Sequence, residues 1–302
     1  MLLSAPIPSV DPRRSALVET VTENILQRIT RGTLSLPSMP VAAFDCLALL
    51  RQSDFSMRAA ALVIEKDPAL AARVLSVSNS AAFCTKEKAR TVVQSIMRLG
   101  ANNLRLVLFE AMAIPIYESN DPRIRRACGA LWRHSRTVAA CAREVASRVH
   151  AGDSCEAYLS GLLHDIGKPI VATLLVQAEH RLVGRKTELW MEPDAWMDVV
   201  QQAHRTVGVA LAEKWELPDT VVGAVANCST YDPDEPRSIV NCVRLANALA
   251  KEVGFYVGAV NAADVGEAIA VGKDVLGLDD AQLETLRGKL GGWSREGDDI
   301  SH

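Results

Sequence analysis

The sequence predicts an all-α fold. Apolar residues recur with a period of about 3.6 along most of the chain, no stretch alternates convincingly like a strand, and the breaks carry helix-capping residues. Composition agrees: of 302 residues, 49% are hydrophobic and 23% charged, the balance of a globular chain rather than a disordered one. A net charge of −3 is too small to select nucleic acid or a membrane surface. No run reaches the ~18 consecutive apolar residues of a membrane span. Met1 to Val10 lacks a basic leader and holds two prolines, so no secretory signal is expected and a cytoplasmic location is. The cysteines, at 46, 84, 128, 141, 155, 228 and 242, include no Cys-x-x-Cys pair and are expected as free thiols in a reducing compartment.

The elements follow in order. Leu17, Val18, Val21, Ile25 and Ile29 form one stripe on a helix from Ser15 to Arg31, which Gly32 caps. Leu36-Pro37-Ser38-Met39-Pro40 breaks the chain and opens a helix at about Val41. Asp67-Pro68 starts the next, with Pro at the first helical position, and Asn79-Ser80 ends it. Gly100 divides Val92–Leu99 from an apolar helix over Leu104–Ile116. Asp121-Pro122 begins a long helix that carries His134 and runs to about His150; Ala151-Gly152-Asp153 turns it into a helix ending at His164-Asp165. Further helices are expected around 168–180, 193–213, 218–229 and 236–253, the last two separated by the turn Tyr231 to Pro236. After Gly254 come helices at 261–271 and 279–289 and a polar tail.

The stretch Gly161-Leu162-Leu163-His164-Asp165-Ile166-Gly167-Lys168 carries the chemistry. Adjacent imidazole and carboxylate groups offer a nitrogen and a hard oxygen to one divalent ion. Two ligands do not complete a site, so His134, His204 and a polar residue on the helix Val243–Ala250 are the candidates to join them. Lys168 is placed to contact a phosphate as a point charge. Each has a plainer reading beside the functional one. The pair can simply brace neighbouring helices. His134 can be a satisfied interior histidine, His204 a partly exposed residue near the start of its helix, and Lys168 a solvated surface lysine.

Several motifs then occur in sequence. They are Leu36-Pro37-x-x-Pro40, Asp67-Pro68-Ala69-Leu70-Ala71-Ala72-Arg73-Val74-Leu75, Asn79-Ser80-Ala81-Ala82-Phe83, and Ser95-Ile96-x-x-Leu99-Gly100 followed by Leu104-Arg105. His134, the His164-Asp165 segment, Trp215-x-Leu217-Pro218 and Ala246-x-x-Leu249-Ala250 complete the series. Together they resemble the HDOD family, the HD-related output domain of bacterial signalling proteins, over roughly Leu34 to Ala250. The resemblance implies an HD-superfamily helical bundle at 34–255, preceded by an amphipathic helix and linker at 1–33 and followed by a helical extension and tail at 256–302. No receiver, GGDEF or EAL-type segment is expected within the chain, so input would arrive in trans.

The departures from the resemblance matter as much. Catalytic HD enzymes place a further Asp ligand on the late helix; here the position holds Asn247, a carbonyl oxygen without charge. HD-GYP phosphodiesterases, which cleave cyclic di-GMP, add histidines and a Gly-Tyr-Pro element. His204 resembles one of those histidines, but the expected His-His pair reads Asn227-Cys228 and no Gly-Tyr-Pro triplet exists. A multi-metal hydrolytic centre is therefore short of ligands. The first expectation is a regulatory signalling module, non-catalytic or weakly metal-binding, that contacts signalling proteins in trans. The alternative is a metal-dependent phosphohydrolase or phosphodiesterase acting on a nucleotide such as a cyclic dinucleotide. One divalent ion (Mn, Fe, Ni, Zn or Mg) would then sit on His134, His164 and Asp165, with His204 and Asn247 as further candidate ligands. Asp165 would also orient water and Lys168 bind phosphate. A third reading has the pocket hold a nucleotide without cutting it.

Between Lys86 and Arg143, 11 Lys and Arg face four acids. Helical spacing spreads such charges over solvated faces, and the alternative is a cationic rim for an anionic nucleotide or acidic partner. Val92–Phe109 has a helix–Gly–helix outline, but Leu104-Arg105-Leu106-Val107-Leu108-Phe109 is too apolar for a DNA groove, so no DNA partner is expected. The stripe from Leu17 to Ile29 suits docking on the domain or a homodimer seam.

Overall fold

Helix starts written into the sequence organise the chain. Asp67 accepts from the backbone N–H groups of Ala69 and Leu70, and Asp121 from that of Arg123, each with Pro at the first helical position. Thr91 and Gln94 close a reciprocal capping box, and Asp153, Ser238 and Asn261 cap three later helices. The structure is a computed structural model that describes residues 12–52, 54–83, 87–182 and 193–295. The expectations for Met1–Val10, Cys84, Lys86 and the tail from 296 onward lie outside the described residues.

Among those residues the protein is all-α. The helices are α1 (Pro12–Thr30), α2 (Val41–Leu50), α3 (Met57–Ile64), α4 (Pro68–Ser78), α5 (Val92–Tyr117), α6 (Pro122–Val149) and α7 (Ser154–Leu163). They continue with α8 (Gly167–Leu182), α9 (Pro193–Lys214), α10 (Asp219–Ala226), α11 (Ile239–Glu252), α12 (Ala262–Leu276) and α13 (Asp280–Arg295). One point differs from expectation: the short α3 was not foreseen. Gly100 divides α5 as expected, since its φ of 71° and ψ of 170° are not helical and leave two helical segments joined at a kink.

Helix α6 is the spine. It packs against α7, α11 and α13, while α8 pairs with α9 and α10 wedges against α7 and α9. Helices α2 to α5 pack among themselves at the amino-terminal side. One apolar core joins α1–α5 to α7–α10; a second joins α6 to α11, α12 and α13 through residues such as Val145, Leu249, Leu286 and Leu290. The stripe on α1 buries Val18 and Ile25 against the first core, and α1 lies on α9, so its own chain is its partner. Leu104, Val107 and Leu108 are buried, as the core reading of that helix requires.

Motifs distant in sequence meet. The Trp215 indole N–H donates to the Pro37 carbonyl at 3.1 Å, and Lys214 Nζ to the Leu36 carbonyl at 2.8 Å. The Asn79 amide exchanges two hydrogen bonds with the Ala89 backbone and accepts a third from Arg98. These are braces between elements, not chemistry. The described cysteines are free and buried, and burial pushes the Cys46 and Cys128 thiols up to about 11. The stretch Ser154–His180 is long and apolar enough to cross a membrane, but 83% of its most apolar 18-residue window is buried in the fold, and the stretch is broken between α7 and α8.

Candidate metal centre

Four elements converge on Asp165, which sits in the turn between α7 and α8. His134 comes from the buried face of α6, His164 caps α7, Lys168 lies in the first turn of α8, and His204 comes from α9. Two glycines let these elements approach. A Cβ on Gly161 would stand 2.8 Å from the Ala139 Cα of α6, and one on Gly167 would stand 1.8 Å from the His204 carbonyl oxygen of α9. The glycines flanking the His-Asp pair are thus what bring α6 and α9 within reach of it.

The three histidines share one design. His134 Nδ1 bonds the Phe255 carbonyl at 2.6 Å, His164 Nδ1 the Gly161 carbonyl at 2.8 Å, and His204 Nδ1 the carbonyls of Val200 and Gln201 at 3.0 and 2.9 Å. A carbonyl only accepts, so each Nδ1 carries a proton, and a ring in its neutral state turns an Nε2 lone pair inward. His134 Nε2 and His164 Nε2 stand 3.3 Å apart, and they lie 3.7 and 3.3 Å from Asp165 Oδ2. His204 Nε2 faces the other oxygen, Oδ1, at 3.7 Å. Lys168 Nζ donates to Oδ2 at 2.6 Å.

Burial keeps two of the imidazoles, His134 and His204, neutral. Burial, reinforced by His164, pushes His134 down to about 3 against the pull of Asp165. Burial likewise takes His204 down to about 4. Burial alone would raise the Asp165 carboxyl; His164 and Lys168 overrule it and hold the group well below the usual carboxylate range. Lone pairs that face one another and a carboxylate repel unless a cation lies among them. Lys168 supplies one positive charge, and the donor set suits another.

The residues fit a metal ion. Ligand atoms on a tetrahedral ion at about 2.1 Å stand about 3.4 Å apart, which matches the 3.3–3.7 Å edges of the His134–His164–Asp165 triangle. Backbone carbonyls fix each tautomer, as the outer shell of a metal site does. His204 stands outside the triangle, against the opposite oxygen.

Two expectations need correction. His204 is in mid-helix, not near a helix start, and is 4% exposed rather than partly exposed, because α8 packs closely on it at Gly167. Lys168 is not a solvated surface lysine: it is buried, since its ammonium pairs with Asp165 and lies 5.4 Å from the centre of the Tyr256 ring. Asn247 lies on α11, its Nδ2 on the Cys228 sulfur at 3.8 Å and its Oδ1 buried without a hydrogen-bond partner. Asn227 caps α10, next to Cys228. Tyr256 escaped the sequence reading. Its ring meets His134 edge-on at 5.9 Å and carries Lys168 and Lys251; the only cue was an aromatic pair, Phe255-Tyr256, just after a helix-ending glycine.

Beyond Tyr256 a cleft of about 290 Å³ opens, lined by Arg205, Arg244, Lys251 and Asn247. Burial lowers the Lys251 ammonium despite the attraction of Asp165.

The HDOD domain profile matches residues 36–231, well over half of the chain. The chain belongs to the HDOD family. Solved structures agree on the fold. A Shewanella amazonensis protein provisionally named a metal-dependent phosphohydrolase is 19% identical, with a TM-score of 0.68 over 92% of this chain and 99% of that one. A Geobacter sulfurreducens HDOD domain protein of unknown function, also 19% identical, has a TM-score of 0.59 over 91% and 99%. A Marinobacter aquaeolei protein provisionally named for signal transduction is 23% identical, with a TM-score of 0.62 over 94% and 64%. At such identities the likeness establishes fold alone. A curated Treponema pallidum relative, itself uncharacterised, is 21% identical over 237 residues; the match takes in 78% of this HDOD chain but 46% of the relative. The chain thus spans about half the length of the curated relative it matches.

Proposed function

We propose that this HDOD protein is a signalling module that holds one divalent ion in its His–Asp centre and acts on partner proteins in trans, without cleaving a phosphoester. The observation that carries the reading is closure of the centre. His134, His164, His204, Asp165 and Lys168 are 0%, 1%, 4%, 6% and 6% exposed. A catalytic metal site keeps a coordination position open to water and substrate, and little of that access exists here. The one carboxylate is also engaged by Lys168, so it is poorly placed to direct an attacking water. A ligand set rich in imidazole favours Zn, Fe or Ni over Mg, which prefers oxygen.

The second reading is a phosphohydrolase, or a domain that binds a nucleotide uncut. The cationic cleft behind Tyr256 favours it, since Arg205, Arg244 and Lys251 suit a phosphate. A bound ion would supply Lewis acidity to such a ligand.

Metal analysis and turnover separate the two. Protein purified without chelator is expected to carry about one equivalent of a first-row ion, lost in His164→Ala, and to leave bis(4-nitrophenyl) phosphate uncut. Hydrolysis that disappears in His164→Ala would overturn the non-catalytic reading. Absence of metal from the wild type, with uptake restored in Asn247→Asp, would overturn the metal-holding part. Calorimetry with cyclic dinucleotides addresses the cleft.

A further inference from the structure

The basic run ending at Arg143 resolves unevenly. Arg98 bonds the Ser78 and Glu87 carbonyls and Asn79, Arg105 pairs with Asp153, and Arg123 with Asp121 and Glu179. Arg136 differs, because it shares a single carboxylate, Glu110, with Arg73. The two guanidinium side chains are 15% and 11% exposed and the carboxylate 9%, so two nearly buried cations face one anion. Tyr158 adds a neutral hydrogen bond to Glu110 at 2.5 Å, and Arg73 Nε is buried without an acceptor. Arg143, half-buried two turns further along α6, forms no ion pair with a carboxylate among the described residues. The cluster therefore holds more positive than negative charge in a poorly solvated place, which an incoming anion would relieve.

A groove of about 620 Å³ lies over the cluster, between α4, the turn after it, α5 and α6, with Tyr158 of α7 behind. Arg136 and Arg143 stand on one wall beside Glu144, whose carboxylate is already engaged by Arg148 and Lys289; Phe83, Leu106 and Val107 give the groove an apolar side. Its lining shares no residue with the cleft behind Tyr256 or with the His–Asp centre. The volume is in the range of small-molecule sites, roughly 300–1,000 Å³.

We propose that this groove is a second ligand site, for a small organic anion: a phosphate or carboxylate head on a ring-sized apolar body. Arg143 and Arg136 take the head, with Arg136 held in place by its Nε bond to Glu110 at 2.9 Å. The body lies against Phe83, Leu106 and Val107. Glu110 is a positioning residue here, as it fixes both buried guanidiniums.

The test titrates the full chain with 2-naphthyl phosphate and, separately, 2-naphthoate, followed by calorimetry. Saturable binding of at least one probe is expected, and the stronger of the two names the head group. Arg143→Ala should weaken it tenfold or more, and so should Ala140→Trp, which fills the groove. Lys251→Ala, in the other cleft, should leave it unchanged. Melting temperatures near wild type establish that the variants fold, and Arg143→Lys, which keeps the charge, should retain most of the affinity. No saturable binding of either probe overturns the proposal. So does binding that survives Arg143→Ala but is lost in Lys251→Ala, or an acidic hexapeptide that outcompetes both probes for the groove.

Discussion

A buried carboxylate is stabilising only while its partners hold its charge, and Glu110 has three. Burial would raise its pKa from the ordinary 4.5; Arg136 and Arg73 overrule burial and lower it, with the Tyr158 hydroxyl assisting. A depressed folded-state pKa means that the unfolded chain binds more protons in the interval below 4.5. The Glu110 contribution is therefore complete above that value and fades as pH falls toward the folded one. Glu110→Gln removes the anion and leaves two guanidiniums nearly buried, a loss of about 3–5 kcal/mol. Unfolding free energies of wild type and Glu110→Gln from urea titration should differ by that amount at neutral pH, and the gap should narrow on acidification. A gap constant down to the acid transition would mean that Glu110 acts through shape rather than charge. The same reasoning explains why the cluster was illegible in sequence. Arg73, Glu110, Arg136 and Tyr158 come from four helices, and no spacing rule joins them.

Glycines show what an element needs that its sequence does not announce. Gly167 allows α8 to meet α9 so closely that a Cβ would stand 1.8 Å from the His204 backbone oxygen. Backbone cannot yield as a side-chain tip does, so Gly167→Ala should force the two helices apart. The expected cost is about 1–3 kcal/mol of overpacking, with weaker metal retention because His204 withdraws from Asp165. Melting and metal content measured together check it; lowered stability with unchanged metal would show that His204 contributes nothing to the centre. Gly129 in α6 is the contrast, with nothing within 4 Å of a built Cβ. Gly129→Ala should stabilise by about 0.5–1 kcal/mol, seen as a higher urea midpoint. Helix starts, the kink at Gly100 and the His164-Asp165 turn were legible because caps, φ and adjacency are local properties. The short α3 offers few residues from which to read a period. Mid-helix His204 and buried Lys168 were misjudged because burial depends on helices far away in sequence.

At the scale of the molecule, the match to the family profile stops at residue 231 while the physical unit does not. His134 is oriented by the Phe255 carbonyl, and Tyr256 covers Lys168, so the centre depends on chain beyond the profile. Helices α12 and α13 contribute no residue to that centre, yet α13 packs on α6 and α12 on α11. Leu286 and Leu290 are fully buried in the core that α6 and α11 share with them, and Lys289 bonds Glu144 of α6 at 2.8 Å. Removing residues 261–302 would expose that whole face of the spine helix that presents His134. The truncated chain should melt at lower temperature, bind a hydrophobic dye and lose the proposed ion, although every candidate ligand remains in its sequence. Leu286→Ala tests the same coupling more gently, with a loss of about 2–5 kcal/mol for a cavity in a closed core. If the truncated chain instead melts like the full chain and keeps the proposed ion, the carboxy-terminal helices are an independent appendage, and the His–Asp centre is supported by the remaining helices alone.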